Sequence, residues 1–168
     1  THAPLPVAAW QRQRNAALKL ERGDDDLAAW EIELAVSGES LARQREAYLA
    51  RIAGPLGTLG TALLDRPITL VHSAGWDADR PLLETLQAGR PRDRRYRATQ
   101  AGPHRGDVSV QVGGRAAKDR VSRGQQKLVA AALLLAQLEI QEQERPGRSA
   151  LLLDDPAAEL DRENLARL

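Results

Sequence analysis

Cysteine is absent from the 168 residues, and the apolar runs are short. Without cysteine the chain can form neither a disulfide framework nor a thiolate metal site, and this composition suits a reducing cytoplasm. The longest apolar run, residues 128–136, is far shorter than the roughly 18 to 20 residues that span a bilayer. No signal peptide is visible either. We therefore expect a cytoplasmic protein.

Methionine is also absent. The chain therefore either lost its initiator before Thr1 or was cut from the interior of a longer protein. The motifs described below, and one motif that is missing, favour an internal segment. The length of 168 residues fits one ordinary globular domain or two small lobes.

Neither sign of charge dominates, since 24 basic side chains stand against 23 acidic ones. A formal net charge of +1 creates no global field toward nucleic acid or acidic lipid, so any such binding requires a local patch. The three histidines, His2, His72 and His104, are scattered and do not have the spacing of a zinc site.

Residues 1–100 are predicted to form a mainly helical domain, with a helical hairpin and a basic segment. An amphipathic helix is expected over residues 7–21. A second helix follows Gly23 and should end in the glycine-rich residues 54–57. A strand over residues 68–72 and a helix over residues 80–88 come next. The second helix carries an apolar side chain at every seventh position, namely Leu27, Leu34, Leu41 and Tyr48.

Residues 90–97 form the only dense basic run, with five arginines and one aspartate. Arginines at this density can contact the phosphates of DNA. A charged run is also commonly a solvated loop face, so both interpretations stay open. The candidate DNA contacts are Arg90, Arg92, Arg94, Arg95 and Arg97.

Residues 101–168 have a different composition. Alternating valines over residues 108–112 predict a strand, which the glycines at 113 and 114 turn. Ser122 and Gln125 have the spacing of a capping box and open a helix that runs to about Glu144. Residues 149–155 then form an apolar run that ends in two carboxylates, which is typical of a buried central strand of a parallel sheet.

These two motifs place polar groups where a nucleotide could bind. A carboxylate at the end of a buried strand, here Asp154, can hold Mg²⁺, and Asp155 beside it can act on an attacking water. Ser122 and Gly124 stand at a helix N-terminus, which favours an anion. The alternatives are ordinary ones, namely polar residues that close a strand and a simple helix cap.

The same residues carry a resemblance to a known family. Residues 121–127 resemble the signature motif of ABC-type ATPases, and residues 151–161 resemble a Walker B motif followed by a D-loop. The version Ser-Arg-Gly-Gln-Gln-Lys, with Asp-Asp in the Walker B motif, is similar to the RecF family. Residues 11–19, 75–76 and 102–105 resemble further segments of that family.

The resemblance implies an α/β fold: a partial P-loop NTPase lobe of an ABC-ATPase head, with signature helix and Walker B strand, plus a mainly helical domain. It also implies an ATP-dependent homodimer. Asp154 would hold Mg²⁺, Asp155 would be the catalytic base, and residues 158–161 would line the dimer interface. The residues at the γ-phosphate of the partner's ATP would be Ser122, Arg123, Gly124 and Gln125.

The family further implies a role in DNA repair, replication and the SOS response. It implies binding to single-stranded or gapped DNA, RecO and RecR as partners, and help in loading RecA. No role for His104 or Arg105 follows from it.

One motif of the family is missing. No Gly-x-x-x-x-Gly-Lys-Ser/Thr occurs in the 168 residues, and that loop cradles the phosphates. We therefore expect this segment alone not to hydrolyse ATP. Two alternatives remain at this point: another ABC-type ATPase of chromosomes or repair, or a non-catalytic adaptor whose helical hairpin binds proteins.

Overall fold

The computed structural model describes residues 6–119, 121–152 and 165–166. Its helices are α1 (Val7–Lys19), α2 (Asp24–Leu64), α3 (Leu82–Ala88), α4 (Arg90–Tyr96) and α5 (Arg123–Glu144). Its strands are β1 (Ile68–Ser73), β2 (Asp107–Val112) and β3 (Arg115–Ala116), and the sheet order is β1-β2-β3. No described helix combines the length and the apolar character that crossing a membrane requires.

The chain folds into two compact units, and each is built from two stretches of sequence. Unit 1 holds the described residues up to Glu46 together with His72–Asp107. Unit 2 holds Ala47–Val71 together with the described residues from Val108 onward. The boundaries of these units differ from the sequence-based division into residues 1–100 and 101–168. The reason is that the C-terminal part of α2 shares an apolar core with α5.

Unit 1 has two small apolar cores. In the first, Ala17 and Leu18 of α1 pack against Leu27 of α2. The rings of Trp10 and Trp30 lie 6.1 Å apart, in a tilted arrangement. The second core joins α2 to α3 and consists of Leu34, Ala35, Leu82 and Leu86. The seven-residue apolar pattern of α2 is therefore buried in its first half.

Unit 2 has one larger core around α5. Val112 of β2 pairs with Arg115 of β3 in an antiparallel hairpin. The turn residues Gly113 and Gly114 have φ values of 56° and 76°, a left-handed conformation that favours glycine in a two-residue turn. The predicted strand, turn and following helix are confirmed. The face that α5 buries has helical spacing and consists of Leu128, Val129, Ala132, Ala136 and Ile140.

The prediction that the second helix ends at residues 54–57 is wrong, because α2 continues through Pro55 to Leu64. A proline inside a helix costs about 3 kcal/mol. Beyond it, Leu56 and Leu63 are buried in the core of unit 2, and burying a leucine side chain contributes about 1.5–3 kcal/mol. Tertiary packing therefore outweighs the local cost of the proline.

Gly60 lies where α2 approaches the start of β1, and the space for a side chain is already filled. A Cβ atom there would come 2.5 Å from the backbone nitrogen of Ile68 and 2.9 Å from the carbonyl oxygen of Arg66. We expect Gly60→Ala to lower the free energy of unfolding by about 1–3 kcal/mol, because the backbone must move. Urea unfolding measures this change.

Gly57 provides the matched control on the same helix. A Cβ at Gly57 meets no described atom within 4 Å, apart from its chain neighbours and the helix's own backbone. Gly57→Ala should therefore raise the free energy of unfolding by up to about 1 kcal/mol through helix propensity. Equal stabilisation by both alanines would contradict the close packing of Gly60.

Candidate nucleotide and nucleic-acid sites

The N-terminus of α5 carries the residues predicted to contact a phosphate. Ser122 Oγ accepts a hydrogen bond from the N–H of Gln125 at 3.2 Å, and Gln125 Oε1 accepts one from the N–H of Ser122 at 3.0 Å. This reciprocal capping box confirms the predicted start of the helix. The side chains of Ser122, Arg123 and Gln125 are exposed, and Gly124 is half-buried.

The capping box leaves hydrogen-bonding capacity for an anion. Ser122 Oγ accepts from Gln125, and a hydroxyl that accepts one hydrogen bond can still donate its own proton. The N–H groups of Arg123 and Gly124 belong to the first turn, where backbone amides have no partner within the helix. Together with the positive end of the helix dipole, these donors suit phosphate oxygens.

The predicted magnesium ligand Asp154, the predicted base Asp155 and the D-loop residues 158–161 lie outside the described residues. The chain before them is held by Glu142 near the end of α5. Its carboxylate accepts hydrogen bonds from the N–H groups of Gly147 at 2.8 Å and Ser149 at 2.9 Å. These hydrogen bonds hold the pKa of Glu142 below its usual range, and the bond from Gly147 contributes most. Among the described residues, no group of three or more His, Asp or Glu side chains could hold a metal ion.

The arginine run forms helix α4 and not a loop. Arg90 pairs with Glu31 at 2.7 Å and with Asp24 at 3.1 Å, and Arg94 pairs with Asp24 at 2.6 Å. The hydrogen bond to Glu31 raises the pKa of Arg90, and the hydrogen bond from Arg94 lowers the pKa of Asp24. Two of the five candidate DNA contacts are therefore engaged with carboxylates of α2.

The other three arginines of the run are exposed. Arg97 lies 3.3 Å from Glu21, and both side chains are largely in solvent. Arg92 and Arg95 make no ion pair with any carboxylate that the structure describes. The exposed positive charge of the run is thus concentrated at Arg92 and Arg95.

A buried ion cluster centred on Arg14 joins α1, α2 and α4. Arg14 and Glu31 are fully buried, and Asp93 is 2% exposed. The Arg14 guanidinium lies 3.0 Å from Glu31 and 2.6 Å from Asp93, and it donates to the hydroxyl of Thr99 at 2.9 Å. Buried charges require pairing and hydrogen bonding, so the cluster fixes the relative positions of these three helices.

Residues 11–19, 75–76 and 102–105, the further segments that resemble the RecF family, lie close together in unit 1. Asn15, from the first, accepts hydrogen bonds from the N–H and the hydroxyl of Thr99. His104 Nε2 lies 3.0 Å from the carbonyl oxygen of Thr99, and partial burial lowers the pKa of this histidine. The N–H of Gly102 donates to the carbonyl of Gly75 at 3.0 Å, and a Cβ at Gly75 would collide with the carbonyl oxygen of Gly102. In the structure these segments position one another.

The buried cluster was not predicted from the sequence, although a signal was present at Arg14. Arg14 follows Trp10 by four residues and precedes Ala17 by three, so it lies on the apolar face of the predicted helix. Its partners Asp93 and Thr99 stand 79 and 85 residues away, and no local pattern connects them.

Comparison with known proteins finds relatives along most of the chain. The chain is 39% identical over 165 residues to the DNA replication and repair protein RecF of Stutzerimonas stutzeri. It is 43% identical over 162 residues to the protein of the same name from Chromohalobacter salexigens. These alignments cover 92% and 91% of the chain but only 44% and 45% of the relatives, so the chain spans less than half of their length. No family model matches the chain.

Solved structures that match the chain are also described as RecF. One described as the recombination mediator protein RecF with ATP, in the RecFOR pathway, matches with a TM-score of 0.82 and 28% identity. It covers 94% of this chain, which corresponds to 46% of that one. A second, described as RecF with ATPrS, matches with a TM-score of 0.81 and 26% identity. The predicted fold class, part of an ABC-type ATPase head with a mainly helical part, is confirmed. The chain is therefore RecF-like in sequence and in fold over nearly all of its length.

Proposed function

We propose that this chain supplies the signature motif and the Walker B segment to an ATP-dependent DNA-binding protein of recombinational repair. The observation that carries the proposal is the exposed start of α5. There the side chains of Ser122, Arg123 and Gln125 are exposed beside the first-turn backbone N–H groups of a helix, in a chain similar to a protein whose solved structure holds ATP.

In the proposed mechanism two protomers close on ATP. Ser122 and Gly124 donate hydrogen bonds to the γ-phosphate of the nucleotide bound by the partner, with Arg123 and Gln125 beside them. Asp154 holds Mg²⁺, for which a carboxylate oxygen is a suitable ligand. Asp155 accepts a proton from the attacking water. Residues 158–161 line the interface of the dimer.

The DNA substrate in this proposal is single-stranded or gapped. The basic run of α4 contacts its phosphates, and RecO and RecR act with the protein to load RecA. Support comes from the relatives, which are named for DNA replication and repair, and from the pathway named with the matching structures.

The test measures DNA affinity of the full-length protein with and without nucleotide. A fluorescent gapped duplex is titrated in the presence of ATP and Mg²⁺, and again without nucleotide. We expect ATP to tighten binding by about 5- to 150-fold, the usual range of coupling between two sites. Chelation of Mg²⁺ should remove the effect. Equal affinities under all conditions would overturn the proposal and favour a non-catalytic adaptor.

A further inference from the structure

The two sides of α4 differ in character. Arg90 and Arg94 face the carboxylates of α2, as described above. Arg92, Arg95 and Tyr96 stand at positions i, i+3 and i+4, a spacing that places them on one side of a helix. All three are exposed, and Tyr96 is 59% exposed. This outer side of α4 thus presents two cations and one aromatic ring.

The inner cations are balanced, whereas the outer cations are not. Three arginines of the inner network meet three carboxylates, namely Arg14, Arg90 and Arg94 with Asp24, Glu31 and Asp93. Arg97 has Glu21. Within the part of the chain that the structure describes, no carboxylate pairs with Arg92 or Arg95. The outer side therefore carries an unbalanced positive charge.

Tyr96 does not contribute to the core of unit 1. The Cζ atom of Arg95 lies 6.0 Å from the centroid of its ring, which is within the range of a cation–π contact. Aromatic rings beside cations are the groups with which proteins hold single-stranded nucleic acid: bases stack on the ring, and the cations pair with the phosphates.

We propose that the outer side of α4 binds a single strand of DNA, with one base stacked on Tyr96 and the adjoining phosphates paired with Arg92 and Arg95. This inference rests on the proposed function and specifies the residues and the form of the DNA. A duplex keeps its bases stacked inside. Its phosphates could pair with Arg92 and Arg95, but it would offer no base to stack on Tyr96. The carboxylates of an acidic peptide could likewise pair with the arginines, but they would not stack on the ring of Tyr96.

The test uses the full-length protein with ATP and Mg²⁺ and two fluorescent probes. One is an oligothymidylate of about 16 nucleotides, the upper end of common single-strand site sizes. The other is a blunt duplex. Tyr96→Ala is expected to weaken binding of the oligothymidylate by about 5- to 150-fold, the loss typical of one base stack. Tyr96→Phe should retain the affinity, and binding of the duplex should stay unchanged in both variants.

Charge variants test the arginines separately. Arg92→Gln and Arg95→Gln should each lower the slope of log affinity against log salt for the oligothymidylate by about 0.7, the value for one released counterion. Arg12→Gln, at an exposed position on α1, serves as the control and should leave the slope unchanged. The urea midpoint of each variant checks the fold.

The outcomes separate this inference from the proposed function. If Tyr96→Ala binds the oligothymidylate like the parent protein, the stacking inference is overturned, whatever the arginine variants do. If all variants keep a strong ATP-dependent affinity for DNA, the outer side of α4 is not the site and the proposed phosphate contact of α4 fails with it, although ATP-dependent DNA binding stands. If the parent protein binds neither probe and also fails to bind the gapped duplex, both fail together.

Discussion

Replacing Arg14 with methionine is expected to lower the free energy of unfolding by about 3–5 kcal/mol, the usual cost of removing one partner from a buried ion pair. Arg14 is fully buried and pairs with both Glu31 and Asp93. Glu31 would keep Arg90 as a partner, but Asp93 would keep only the N–H of Gln100 among the bonds described. A buried carboxylate without a cation accounts for most of the expected loss.

Urea unfolding of the variants measures this effect. Arg12→Met is the matched control, because Arg12 lies on the same helix and is exposed. That change should alter the free energy of unfolding by less than about 0.5 kcal/mol. The double variant Arg14→Met with Asp93→Asn should be less destabilised than the sum of its parts, since it no longer buries an unpaired charge. An equal loss in Arg12→Met and Arg14→Met would contradict the cluster.

Replacing Asp155 with asparagine is expected to lower kcat for ATP hydrolysis in the full-length protein by about 100-fold or more. The reason is that asparagine cannot accept the proton of the attacking water, and a general base contributes about 100- to 10,000-fold. This prediction follows from the resemblance of the motif, since Asp155 lies outside the described residues. Steady-state phosphate release measures it, and ATP affinity should change little.

Ser122 offers a separate test of the same site. Ser122→Ala would remove both the phosphate donor and the helix cap, and loss of a cap alone costs about 1 kcal/mol. Ser122→Asp keeps an acceptor for the N–H of Gln125 but places a carboxylate beside the γ-phosphate. We expect normal stability and a loss of turnover of about 100-fold. Unchanged turnover in both Asp155→Asn and Ser122→Asp would favour the adaptor interpretation.

Features set by neighbouring residues could be predicted from the sequence. The capping box needs only Ser122 and Gln125, three positions apart, and the hairpin turn needs only Gly113 and Gly114. In these cases the chemistry of adjacent side chains fixes the backbone directly. The position of the candidate phosphate donors at the start of α5 was predictable for the same reason.

Features set by distant contacts could not be predicted in this way. Residues 54–57 contain the usual stop signals of a helix, yet the core of unit 2 holds the helix together beyond them. In the arginine run, five similar residues have different roles, because the carboxylates of Asp24 and Glu31 bind Arg90 and Arg94 from another helix. The exposed subset, with Tyr96, becomes visible only after those pairings are known.

The discontinuous layout of unit 1 has a consequence during protein synthesis. Its two stretches are separated by Ala47–Val71, which belongs to unit 2. Thr99, a hydrogen-bond partner of Arg14, is synthesised 85 residues after it. At about 5–20 residues per second, a ribosome needs roughly 4–17 s to make that interval. During this time Arg14 has neither Asp93 nor Thr99, and Leu34 lacks Leu82 and Leu86. The nascent chain therefore exposes an unfinished core for several seconds, which is the interval in which a chaperone that binds emerging chains would act on it.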